Sequence, residues 1–92
     1  MLIADSGSTK TDWRFINSAG AIIAFSSEGY NPRLIAADAM KESLRREVVV
    51  QLGEEHPGEI FFYGAGCGTD ETKTFVKNIL DGFEVTPVNV VI

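Results

Sequence analysis

The chain has 92 residues, of which 45% are apolar and 23% charged, and its net charge is −5. This is at most one small globular domain, because a chain of this length buries only roughly 60% of its unfolded surface, and a complete two-lobed enzyme is excluded. The eight basic residues are scattered, which argues against a nucleic-acid-binding surface, since counterion release needs a basic patch.

Residues 2–5 read as a short buried strand that ends in Asp5. A tight turn of small and hydroxylated residues follows: Ser6, Gly7, Ser8, Thr9, Lys10 and Thr11. Residues 11–17 alternate, with Thr11, Trp13 and Phe15 on one face and Asp12, Arg14 and Ile16 on the other. That period of two is the mark of a strand. Ser18-Ala19-Gly20 is a turn signal. Residues 21–27 form a third strand in which Ile23 and Phe25 share a face. The first three elements therefore predict an antiparallel meander.

Asn31 followed by Pro32 has the form of an N-cap and a first helical position. Leu34, Ala37, Met40, Leu44 and Val48 continue at helical spacing, which predicts a helix from about residue 32 to residue 52. The β-branched run Val48-Val49-Val50 weakens its last turn. Residues 53–58 form a loop, and residues 59–63 a fourth strand centred on Ile60-Phe61-Phe62. A glycine-rich exit follows, Gly64-Ala65-Gly66-Cys67-Gly68. Thr69 is placed to cap a second helix, with Asp70 and Glu71 suited to its positive N-terminal end. Phe75, Val76, Ile79, Leu80 and Phe83 form the apolar stripe of that helix, and residues 85–92 a fifth strand. The order β-β-β-α-β-α-β predicts a mixed α/β sheet with right-handed crossovers covering its faces.

The turn after Asp5 carries the chemistry. Successive backbone N–H groups in a tight loop form an anion-binding concavity. Ser8, Thr9 and Thr11 add hydroxyl donors and Lys10 adds a cation. Asp5 could hold a divalent cation directly or through water, and Mg²⁺ favours one or two carboxylates together with substrate phosphates. An ordinary hairpin with a polar turn is the alternative. The glycine-rich exit imitates a dinucleotide fingerprint, but Thr69 sits where the third glycine of Gly-x-Gly-x-x-Gly is needed. A loop needing positive φ or a close backbone approach is the better reading.

The single cysteine, Cys67, excludes an intrachain disulfide and suits a reducing cytoplasm. Its place before a helix N-terminus could lower its pKa, yet no catalytic histidine accompanies it. His56, among Glu54, Glu55 and Pro57, reads as an exposed loop residue. The N-terminus has no basic n-region and is not expected to be a signal peptide. No apolar run approaches the ~20 residues of a membrane span. A cytoplasmic location, with no membrane or nucleic-acid partner, is the expectation.

The Asp5-x-Gly7-x-Thr9-Lys10-Thr11 hairpin opening a βββαβαβ unit resembles the N-terminal lobe of the acetate and sugar kinase/Hsp70/actin superfamily. Within it the chain is similar to the N-acetylglucosamine kinase and BadF/BadG-type ATPase family, whose opening motif is Asp-Gly-Gly-Gly-Thr-Lys-Thr. Ser6 and Ser8 stand in place of two of those glycines. Gly29-Tyr30-Asn31 matches the family's Gly-x-Asn element after the third strand, and Gly64-Ala65-Gly66 its glycine-rich loop after the fourth.

The resemblance implies a ribonuclease H-like fold, the N-terminal half of an actin-like ATPase, with helices on the faces of its mixed sheet. It implies that Ser6, Gly7, Ser8, Thr9, Lys10 and Thr11 hold ATP phosphates, and that Asp5 orients Mg²⁺ through water. It also implies that Asn31, Gly64, Ala65 and Gly66 meet a sugar. The reaction implied is phosphoryl transfer to N-acetylglucosamine or a related amino sugar. The family's catalytic carboxylate follows the fifth strand, so it is expected beyond Ile92. On that basis the chain is expected to be an N-terminal lobe that is inactive alone. Three rivals remain at this point: an ATPase activator of a dehydratase, a type III pantothenate kinase, which also opens with an Asp-x-Gly hairpin, and a non-catalytic nucleotide- or sugar-binding module. Exposed faces and edges of a lone lobe would also permit a homodimer.

Overall fold

The computed structural model describes residues 1–82 and the backbone of Val90–Val91. Strands β1 (Leu2–Ser6), β2 (Lys10–Ile16) and β3 (Ile22–Glu28) form the expected antiparallel meander. Strand β4 (Ile60–Gly64) pairs parallel with β1, and β5 (Val90–Val91) pairs parallel with β4. The result is a five-stranded mixed sheet in the order β3-β2-β1-β4-β5. The rest of the expected fifth strand, and Phe83, lie outside the described residues.

The alternation in β2 sorts its side chains as the sequence implies. Thr11, Trp13 and Phe15 are buried, while Asp12 and Arg14 are exposed. Register extends this face across the sheet: Leu2 opposes Phe15 and Ile60, and Ala4 opposes Trp13 and Phe62. Trp13 is fully buried, stacks on Phe25 at 6.0 Å, and meets Tyr30 edge-on at 6.5 Å. Such aromatic pairs add directional attraction to the burial of their large apolar area.

The helices cover this same face. Helix α1 (Ala37–Leu44) runs into a π-helical turn, Arg45–Val49, and then a short α2 (Val50–Leu52). Helix α3 (Asp70–Asp81) lies beside α1. Met40, Leu44, Val48 and Leu52 from the first stretch, and Val76, Ile79 and Leu80 from α3, join the strand residues in one core. Thr69 caps α3 as expected: its hydroxyl accepts from the Thr72 N–H, and the Thr72 side chain accepts from the Thr69 N–H.

The first helix begins later than its spacing predicts. Asn31 does cap a turn, accepting the Arg33 N–H at 2.9 Å on Oδ1, but that turn stands alone. Leu34 and Ile35 both donate to the Asn31 carbonyl, and Ala36 is extended (φ −77, ψ 154), which breaks the run before α1. The break turns Ile35 towards the core and leaves Leu34 exposed. The π-helical turn runs into the β-branched stretch that weakened the prediction, ending on Val48 and Val49. Such widened turns are rare and are found as single inserted turns within helices.

Candidate functional site

The β1–β2 hairpin closes on a two-residue tip. The Gly7 N–H donates to the Lys10 carbonyl at 2.8 Å, leaving Ser8 and Thr9 as the tip, and both are exposed. Among the described residues, neither the Ser8 nor the Thr9 N–H has a hydrogen-bond partner. The Gly7 carbonyl oxygen faces Gly29, so close that a Cβ on Gly29 would fall on it. In a planar trans peptide the following N–H points the opposite way, so the Ser8 N–H is directed outward. The tip therefore presents two free backbone donors to solvent, the arrangement that receives an anion.

The hydroxyls below the tip do other work. Thr11 Oγ1 donates to the Glu28 carbonyl at 2.9 Å. With that proton committed, the 2.8 Å contact between Ser6 Oγ and Thr11 Oγ1 has Ser6 as donor. Ser6 Oγ in turn accepts the Tyr30 N–H at 2.9 Å. The chain runs Tyr30 N–H to Ser6 to Thr11 to the Glu28 carbonyl, and it ties the exit of β3 to the base of the hairpin. The Thr11 hydroxyl, read from the sequence as a ligand donor, is bonded here within the protein. Ser6 and Thr11 are buried and act as posts, while Ser8, Thr9 and Lys10 are exposed.

Lys10 forms an ion pair with Asp12 at 3.2 Å, both side chains being more than half exposed. A pair this open to water contributes little, so the ammonium can turn to an arriving anion. Asp5 opposes Asp12 in register on the face of the sheet that no described helix covers, with Tyr63 on its other side. Asp5 is exposed and, among the described residues, belongs to no ion pair. No group of three or more His, Cys, Asp or Glu among the described residues could hold a metal ion. A cation beside Asp5 would therefore take most of its ligands from water and phosphate, which is how Mg²⁺ is commonly held.

Asn31 joins the hairpin tip to the glycine-rich loop. It is buried, and its Nδ2 lies 3.4 Å from Ser8 Oγ at the hairpin tip. On its other side its Oδ1 occupies the place where a Cβ on Gly66 would sit, and Gly66 has φ +79, a conformation that favours glycine. Ala65 donates to the Ser6 carbonyl at 2.8 Å, continuing the β1–β4 pairing into the glycine-rich loop. Asp5, the hairpin, Asn31 and residues 64–66 thus lie at one end of the sheet. The sequence singles out Gly29 through the Gly29-Tyr30-Asn31 element, but its contact with the hairpin is visible only in the fold.

Cys67 is buried, and burial pushes its thiol up, contrary to the lowering that its helix-proximal place suggested. His56 is exposed, as expected. No helix among the described residues is long and apolar enough to cross a membrane.

No family model matches the chain, and no curated protein matches it. Among solved structures it is similar to a protein from Porphyromonas gingivalis named as a candidate N-acetylglucosamine kinase. The identity is 32%, the TM-score is 0.82, and the match covers 98% of this chain. It covers 33% of the other chain, so the present chain spans about a third of the length of that protein.

Proposed function

We propose that this chain is the phosphate-holding part of an ATP-dependent kinase that acts on N-acetylglucosamine or a related amino sugar. The observation that carries the reading is the outward-facing Ser8-Thr9 tip, set on a fold that matches the candidate kinase at 32% identity. When bound, Mg·ATP supplies the transferable phosphoryl group and neutralises its charge. The Ser8 and Thr9 N–H groups would receive phosphate oxygens, and Lys10 would leave Asp12 to add a cation. Asp5 would anchor the metal through water from the face that no described helix covers. Asn31, held between Ser8 and Gly66, would meet a sugar hydroxyl, with Gly64, Ala65 and Gly66 allowing close approach of the backbone.

The dehydratase-activator reading is less well supported. It calls for a cluster-ligating thiolate, and Cys67 is buried with its thiol pushed up. The test is a phosphorylation assay of the whole product of the gene that encodes this chain, with ATP and either N-acetylglucosamine or glucose. The reading predicts ATP-dependent phosphorylation of N-acetylglucosamine in preference to glucose. ATP hydrolysis that no sugar stimulates would contradict it.

A further inference from the structure

We infer that Gly29 is a positioning residue of the anion-facing hairpin, an inference that rests on the phosphate-holding reading above. The strand β3 exit passes directly beneath the hairpin tip. A Cβ on Gly29 would fall on the Gly7 carbonyl oxygen and within 2.6 Å of the Ser8 carbonyl oxygen. All of these are backbone atoms, so no side-chain rotation relieves the clash. Gly29 needs no positive φ; its missing side chain is the slot in which the Gly7–Ser8 segment lies. On either side, the chain is pinned: the Glu28 carbonyl accepts from Thr11, and the Tyr30 N–H donates to Ser6. The hairpin is held at both edges of its base and seated on Gly29 in the middle. With the Gly7 carbonyl turned inward against Gly29, the Ser8 N–H is turned outward. Any side chain at residue 29 lifts the segment and rotates that peptide, so the donor pair loses its shared direction.

The test compares Gly29→Ala with Gly58→Ala, at which an added Cβ meets nothing within 4 Å. Backbone amide spectra of each ¹⁵N-labelled protein are recorded during titration with tripolyphosphate. The expected result for Gly29→Ala is displaced Gly7, Ser8 and Thr9 resonances with α3 resonances unchanged, and affinity lower by about tenfold or more, as displacement of a binding group allows. Gly58→Ala keeps wild-type resonances in the hairpin and wild-type affinity. Unchanged hairpin resonances and affinity in Gly29→Ala overturn the inference. If the wild-type protein ignores tripolyphosphate, the phosphate-holding reading fails, while the hairpin resonances still decide the role of Gly29. If Gly29→Ala does not fold, amide exchange in the wild type decides: the Ser8 N–H exchanges freely and the Gly7 N–H slowly, and a protected Ser8 N–H overturns the inference.

Discussion

Ser6 donates to Thr11 across 2.8 Å, and both residues are buried beneath the hairpin tip. The contact is one link in a chain that ends on the Glu28 carbonyl, so loss of either hydroxyl strands a buried polar group. Thr11→Val keeps the shape and removes the link. It is predicted to destabilise the fold by about 1–3 kcal/mol, the usual cost of an unsatisfied buried polar group. Thr9→Val, at the exposed tip, should stay within about 0.5 kcal/mol of wild type. Urea unfolding of the two variants checks this, and equal midpoints would count against the assigned roles.

Gly66 is another position where geometry demands glycine. Its φ of +79 and its contact with Asn31 Oδ1 both oppose a side chain. Gly66→Ala should cost on the order of 1–3 kcal/mol from backbone strain and shift the Asn31 side-chain amide resonance. Gly68→Ala, where an added Cβ meets nothing within 4 Å, should do neither. Thermal unfolding with the Asn31 amide signal as a second readout distinguishes them.

The acid limb of stability should report on Glu47. The Ser43 hydroxyl donates to its carboxylate at 2.8 Å, and this bond, with Arg46 alongside, holds the carboxyl below its ordinary range. A depressed carboxylate contributes stability that is present above its unfolded pKa and is lost as pH falls through the folded one. Stability should therefore decline below the ordinary carboxylate range, and Glu47→Gln should flatten that decline. An unaltered acid profile in Glu47→Gln would show that other carboxylates govern it.

Cys67 offers a chemical readout of the packing under the glycine-rich loop. Burial raises its thiol, which lowers the fraction of reactive thiolate. A disulfide reagent at neutral pH should modify the native protein much more slowly than the urea-unfolded chain. Equal rates would mean that the loop does not cover the sulfur.

The parts of the fold set by local chemistry were legible in advance. Alternation at Thr11, Trp13 and Phe15 reads directly as a strand with one buried face, and Thr69 with Asp70 and Glu71 reads as a helix start. The break at Ala36 was hidden, because Asn31-Pro32 satisfies the rules for a helix start and only the backbone shows that its turn stops. The buried role of the Ser6 and Thr11 hydroxyls was hidden for another reason. It depends on partners at Glu28 and Tyr30, far along the chain, and on how the β3 exit passes under the hairpin. The slot at Gly29 is likewise a long-range fact. Sequence shows a glycine there; only the fold shows the Gly7 carbonyl that needs the space.

The most direct test of the account follows the backbone amides of this chain during addition of Mg·ATP and then N-acetylglucosamine. The account predicts that Mg·ATP moves the Ser8, Thr9 and Lys10 resonances first, with Gly7 little changed because its N–H is bonded to Lys10. The sugar should then move the Asn31 side-chain amide and Gly66. Shifts from Mg·ATP centred on the glycine-rich loop, with a silent Ser8-Thr9 tip, would contradict the account.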